Sequence, residues 1–274
     1  MRFSSWWGWL GFVLAVAGSV AAESPPAPLV IGETFTVESR VLGETRRINV
    51  YLPAGYAETP ALRVPVLYMP DGGLAEDFIH VAGLVQIGAA NGTMRPMLLV
   101  GIENTQRRRD LTPPTESERD RKIAPIVGGA AAFRKFLREE LMPLIRERYR
   151  TTDERAIVGE SLAGLFVVDT LLSAPELFDT YIAIDPSLWW NEGKFLASAP
   201  ERLAAVAAKG RTLWLAAAEK DGNAREAHDF AAQLKQSAPA ALRWSFVPFA
   251  EERHLTIYHP AALRAFREVL APRE

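Results

Sequence analysis

A chain of 274 residues with 49% hydrophobic and 23% charged side chains has a globular composition, with room for one sizeable domain. A net charge of −2 excludes the clustered basic excess that a nucleic-acid binder shows. The lack of cysteine excludes disulfides, thiolate nucleophiles and thiolate zinc sites, and it suits export to an oxidising periplasm.

The chain starts "MRFSSWWGWLGFVLAVAGSVAAES", with Arg2 ahead of an apolar run from Trp6 to Ala17 and mostly small residues through Ala22. That is the order of a secretory signal, with cleavage expected after Ala21 or Ala22. An uncleaved anchor is the competing reading, but Gly8 and Gly11 interrupt a run already short for a bilayer. Residues 1–22 are thus a signal peptide, 23–29 a flexible lead-in and 30–274 the domain. No stable membrane insertion is expected after cleavage.

"FTVESR" and "RRINVYLP" alternate apolar and polar residues around Gly43 and Glu44, which predicts an antiparallel hairpin. Then come "VPVLYMP", "MLLVGI", "RAIVG", "YIAID" and "RTLWLAAA". These short apolar runs fit strands buried on both faces of a parallel sheet. Helical patterns lie between them. The clearest covers residues 131–149, with Phe133, Phe136, Leu137, Leu141, Leu144 and Ile145 on one face and a kink expected at Pro143. A last helix follows Pro260, with Leu263, Phe266 and Leu270 on its apolar side. The alternation predicts an α/β domain with a mostly parallel central sheet and helices on both faces. The polar, aperiodic stretch from Glu103 to Gly129 predicts a loop beyond the carboxyl ends of the strands, where ligands bind.

Ser161 stands where the strand "RAIVG" meets the helix "LAGLFVVDTLL". Strand, tight turn and helix are the context of a nucleophile elbow, and Gly159 and Ala163 supply the small flanks it needs. A serine hydroxyl needs an adjacent base. Four histidines exist; His80 and His228 lie in predicted helices. His254 follows the last strand "RWSFVPF" and is the expected base, with His259 as the alternative. The acid is expected after the preceding strand, at Asp221 or otherwise Glu219; Asp185 is a third candidate, one strand too early. The backbone N–H groups of Leu162 and Gly73 are the expected oxyanion donors, Gly72 being the next choice. Trp189 and Trp190 face opposite ways if they end a strand, so one lines the pocket and one packs, or both are structural. Arg109, in the run Arg107 to Arg109, is a candidate for receiving an anionic substrate, although such runs are commonly solvated surface. Glu160 either tunes the site or pairs locally.

With "VLYMPDGG", "VGIENT" leading to "RRRDLTPP", "GGAAAFRKFLREELMPLI", "VGESLAGLF", "AIDPSLWW" and "ERH", the chain resembles the esterase-D-like branch of α/β-hydrolases from about residue 33 to 271. That branch includes siderophore (enterochelin-type) esterases, feruloyl esterases and mycolyltransferases. The resemblance implies an α/β-hydrolase fold and ester hydrolysis by a serine–histidine pair, with no metal or cofactor. Some members manage with little or no third acid. A small-molecule ester is then the partner. Acyl transfer through the same acyl-enzyme, or a catalytically silent binding module, are the alternatives.

Overall fold

The structure is a computed structural model that describes residues 25–124, 126–206 and 210–273. The signal-peptide expectation for residues 1–22 lies outside the described residues. Residues 25–32 carry neither helix nor strand.

Eight strands form one sheet in the order β1-β2-β4-β3-β5-β6-β7-β8. β1 (Glu33–Ser39) and β2 (Glu44–Tyr51) make the antiparallel hairpin. β2 continues antiparallel against β4 (Leu98–Ile102). The remaining pairs are parallel: β3 (Val64–Pro70), β5 (Thr151–Glu160), β6 (Thr180–Ile184), β7 (Thr212–Ala218) and β8 (Arg243–Phe249). Every residue of β3, β4 and β6 is buried, as continuous apolar runs require between two helical layers.

Successive side chains of a strand point to opposite faces, so β3 feeds two cores. Val66 and Tyr68 join Phe133, Phe136 and Phe166 on one face, while Leu67 and Met69 join Phe78, Val81 and Phe266 on the other. The first core is covered by the helix Leu162–Ser173 and the helical stretch from Ala130 to Arg148. The second is covered by the helices Phe78–Ala90 and Tyr258–Val269. No helix among the described residues is long and apolar enough to cross a membrane.

Two expectations are refined. The helix around Pro143 breaks into Ala130–Phe136, a π turn Leu137–Leu141 and Met142–Arg148. Proline has no N–H to offer residue 139, and the widened turn just before it, with Met142 N–H bonded to Leu137 O, accommodates that loss. The final helix starts at Tyr258, so Pro260 sits in its first turn, where N–H groups have no intrahelical partner.

The segment Glu103–Gly129 contains two short helices, Arg107–Leu111 and Glu118–Ile123. Ion pairs organise it, and those leave no periodic apolar signal. Arg46 of β2 is fully buried and donates to Asp110 Oδ2 (2.5 Å), Glu44 Oε1 (2.9 Å), Thr105 Oγ1 (2.8 Å) and the Glu103 carbonyl (3.0 Å).

Candidate active site

β3 leads into β4 on one side of the sheet, and β5 lies on its other side. The strand order therefore reverses between β3 and β5, and a crevice opens beyond their carboxyl ends. Ser161 leaves β5 at that point with φ 60° and ψ −119°, a conformation rare for a residue bearing a side chain. Its N–H is held by the Ile184 carbonyl of the neighbouring strand at 3.1 Å. A Cβ at Gly159 would lie 2.6 Å from the Ala163 carbonyl carbon, so the turn closes only because position 159 is bare. Leu162 is the first helical residue, and its N–H belongs to the first turn, which has no partners within the helix.

His254 reaches Ser161 from the connection between β8 and the last helix. Its Nε2 lies 3.1 Å from Ser161 Oγ, and its Nδ1 lies 2.5 Å from Asp185 Oδ2. Asp185 is completely buried at the exit of β6. Its Oδ1 accepts from Ala218 N–H (3.1 Å), its N–H donates to the Ala216 carbonyl (2.8 Å), and its carbonyl accepts from Asn223 Nδ2 (2.8 Å). The imidazole tautomer that suits a buried carboxylate carries its proton on Nδ1, leaving Nε2 free to accept from the serine. The Asp185 hydrogen bond raises the His254 pKa against the effect of burial, and Glu160 and Asp221 add to the rise.

The acid expectation is corrected here. Asp221 bonds to the main chain of the histidine: its Oδ1 accepts His254 N–H at 2.7 Å, and its Oδ2 pairs with Arg253 at 3.2 Å. That backbone bond holds the Asp221 carboxyl below its ordinary value. Glu219 pairs instead with His228, at 2.9 Å. The reason lies in the sheet order: β6 is the direct neighbour of β5, so its exit lies under the imidazole. The serine–acid–histidine order along the chain is still kept. Gly222 has φ +90°, and a Cβ there would meet Asp185 Oδ2 at 2.7 Å. A bare residue is therefore required beneath the Asp185–His254 contact.

Other expected residues sit differently. The Gly73 N–H donates to Glu76 Oε2 at 2.7 Å, and Asn104 Nδ2 holds the other Glu76 oxygen at 2.9 Å, so this amide already has an acceptor. The Gly72 N–H is taken by the Ile102 carbonyl at 3.0 Å. Arg109 is not placed to meet a substrate: both its Nη atoms bond to Glu44, at 2.6 and 3.0 Å, and its Nε bonds to Asp110 at 2.6 Å. Its neighbour Arg107 grips Asp71 through Nε and Nη2, each at 2.7 Å. Trp189 and Trp190 lie in a turn after β6 and not at a strand end. Trp190 is buried, and its Nε1 donates to the Pro113 carbonyl at 2.9 Å, which makes it an anchor for the long segment and not a pocket wall. Trp189 is half-buried, with the Arg119 guanidinium 5.8 Å from its ring centroid. His259 bonds to His80 (3.0 Å) on the exposed side of two helices.

Ser187 is a neighbour the sequence did not single out. Its hydroxyl lies 3.4 Å from Ser161 Oγ, and its N–H donates to the Ser161 carbonyl at 3.0 Å. A signal existed in "DPS", which leaves a buried strand beside the nucleophile strand. Among the described residues no group of three or more His, Asp or Glu is arranged to hold a metal.

Residues 39–246 match the Esterase family. The chain is 30% identical over 254 residues to ferri-bacillibactin esterase BesA of Bacillus subtilis, spanning 84% of this chain and 86% of that protein. It is 30% identical over 184 residues to the siderophore triacetylfusarinine C esterase of Aspergillus fumigatus, a match covering 61% of this chain and 59% of the relative. Among solved structures, the IroE-like serine hydrolase from Shewanella oneidensis superposes with a TM-score of 0.78 at 30% identity, over 87% of this chain and 80% of the other. With most of its length matched, this protein belongs to the Esterase family and is a serine hydrolase of carboxylic esters on an α/β-hydrolase fold.

Proposed function

We propose that Ser161, His254 and Asp185 serve as nucleophile, general base and orienting acid in the hydrolysis of siderophore-type esters, by a chain that is exported to the periplasm. The observation carrying the mechanism is the continuous path Ser161 Oγ–His254 Nε2, His254 Nδ1–Asp185 Oδ2. In the reaction, Ser161 Oγ attacks the ester carbonyl carbon as its proton passes to Nε2. The tetrahedral intermediate collapses, His254 gives that proton to the departing alkoxide, and the acyl group stays on Ser161. Water then attacks the acyl-enzyme, its proton goes to Nε2, and the acid product leaves as Ser161 regains a proton. Asp185 keeps the ring in the working tautomer and stabilises its charged form. Leu162 N–H is the first oxyanion donor; Gly73 N–H, the other expected donor, is held by Glu76 Oε2. One such donor is worth roughly 100- to 1,000-fold in turnover.

The siderophore reading is supported by the names of two relatives, each an esterase of a siderophore. Export is supported by the charged, apolar and small-residue order of residues 1–22. A fluorophosphonate probe, mapped by peptide mass spectrometry, tests the nucleophile without assuming a substrate. Label is expected on Ser161, and Ser161→Ala is expected to lose both labelling and ester hydrolysis with an almost unchanged Tm. His254→Ala is expected to behave alike and His259→Ala to stay active. A folded protein that takes no label would overturn the reading and favour a binding module. Product analysis on a ferric siderophore ester, with and without an added alcohol, separates hydrolysis from acyl transfer.

A further inference from the structure

Two carboxylates converge on a single nitrogen of the His254 ring. Beside Asp185 Oδ2 at 2.5 Å, Glu160 Oε1 lies 3.6 Å from the same Nδ1. Glu160 is the last residue of β5 and directly precedes Ser161, so the elbow that places the nucleophile also places this side chain. Only 18% of the side chain is exposed, against complete burial for Asp185, and its ion-pair partner is His254. A residue chosen only for the turn would need no charge there.

We propose that Glu160 is a positioning residue for the esterase reaction: its carboxylate supplies a second negative charge beside Nδ1, steadying the imidazolium that forms at each acyl transfer. The inference deepens the Ser161–His254 mechanism and rests on it. Opposite charges within about 4–6 Å favour the charged form of each partner, so an ionised Glu160 makes His254 hold its proton more tightly.

The charged groups around Glu160 come from four places: His254 before the last helix, Arg107 after β4, Asp185 after β6 and Asp71 after β3. Burial pushes the Glu160 carboxyl up to about 7; the two aspartates push the same way, while His254 and Arg107 oppose them. Above that pH the carboxylate is charged and the His254 pKa is at its highest. Below it Glu160 becomes neutral and its contribution disappears. The two groups therefore titrate as a pair, with steps that belong to both.

The test is an NMR titration of the His254 imidazole in the full protein and in Glu160→Gln, which requires no substrate. Removing the charge is expected to lower the His254 midpoint by about one pH unit, and to move the acidic limb of kcat/KM downward by the same amount. Glu160→Asp, which keeps the charge on a shorter stem, is expected to recover part of the shift. A carbon-13 titration of the wild-type Glu160 carboxyl is expected to show a step shared with His254, and it remains readable if a variant fails to fold. An unchanged His254 midpoint in folded Glu160→Gln, or a Glu160 titration independent of His254, would overturn the proposal. Failure of the esterase reading would appear separately, as wild-type protein with no label on Ser161.

Discussion

At the residue scale, His254 is held from two directions. Its ring meets Asp185 at Nδ1, and its main-chain N–H meets Asp221 Oδ1. The two aspartates therefore respond differently to amidation. In Asp185→Asn an amide faces Nδ1, which favours the tautomer with its proton on Nε2, so the ring cannot accept from Ser161. A fall in kcat/KM of about 100-fold or more is expected. Asp221→Asn keeps an oxygen for the His254 N–H and loses only the exposed pairing with Arg253, which solvent screens, so a loss below about tenfold is expected. Steady-state kinetics of the two variants checks the assignment. Equal losses would return Asp221 to the catalytic set. Nothing in the local sequence separates these residues, because each is an aspartate just beyond a buried strand. Their difference lies in which strand adjoins β5.

At the scale of elements, the hairpin and the long segment after β4 are joined by buried charge. Glu44 of β2 accepts from Arg109, Thr105 and Arg46, and the Arg109 hydrogen bond is the main reason its carboxyl is held down to about 2 from an ordinary 4.5. A carboxyl depressed by folding stabilises the native state fully above its unfolded value. That contribution is lost as pH falls from 4.5 through about 2. The Tm gap between wild type and Glu44→Gln is therefore expected to be largest above pH 5 and to close toward about pH 2. Thermal melts across that range check it, and a gap independent of pH would mean that the Glu44 charge does not join these elements. This network also explains why Arg109 is not available to a substrate. Arg109 and its partner Glu44 are distant along the chain, and only the fold brings them together.

At the scale of the whole molecule, the charged, apolar and small-residue order of residues 1–22 bears on where the enzyme works. Export predicts that protein recovered from the periplasm begins at Ala22 or Glu23, by N-terminal sequencing. Recovery of an intact Met1 in a membrane fraction would instead favour the anchor.

Much of the architecture was legible in the one-dimensional pattern. The runs "VPVLYMP" and "RWSFVPF" coincide with β3 and β8 residue for residue. β3 is buried along its whole length, which a continuous apolar run signals locally, whereas β8 is the half-exposed edge strand and is marked by its aromatic and β-branched residues. The elbow was legible for a related reason: the close approach of strand and helix leaves no room for a side chain at Gly159. The strands, the longer helices, the tight turn at Ser161 and a histidine after the last strand were thus determined by the sequence itself, whereas the short helices Arg107–Leu111 and Glu118–Ile123 were not. The acid, the state of the Gly73 amide, the partners of Arg109 and the burial of Trp190 were decided only by the tertiary structure. Each depends on which loop ends meet above the sheet, and that follows from strand order. A side chain's role there is set by the atom it touches across the crevice, and neighbours in the chain do not specify that atom.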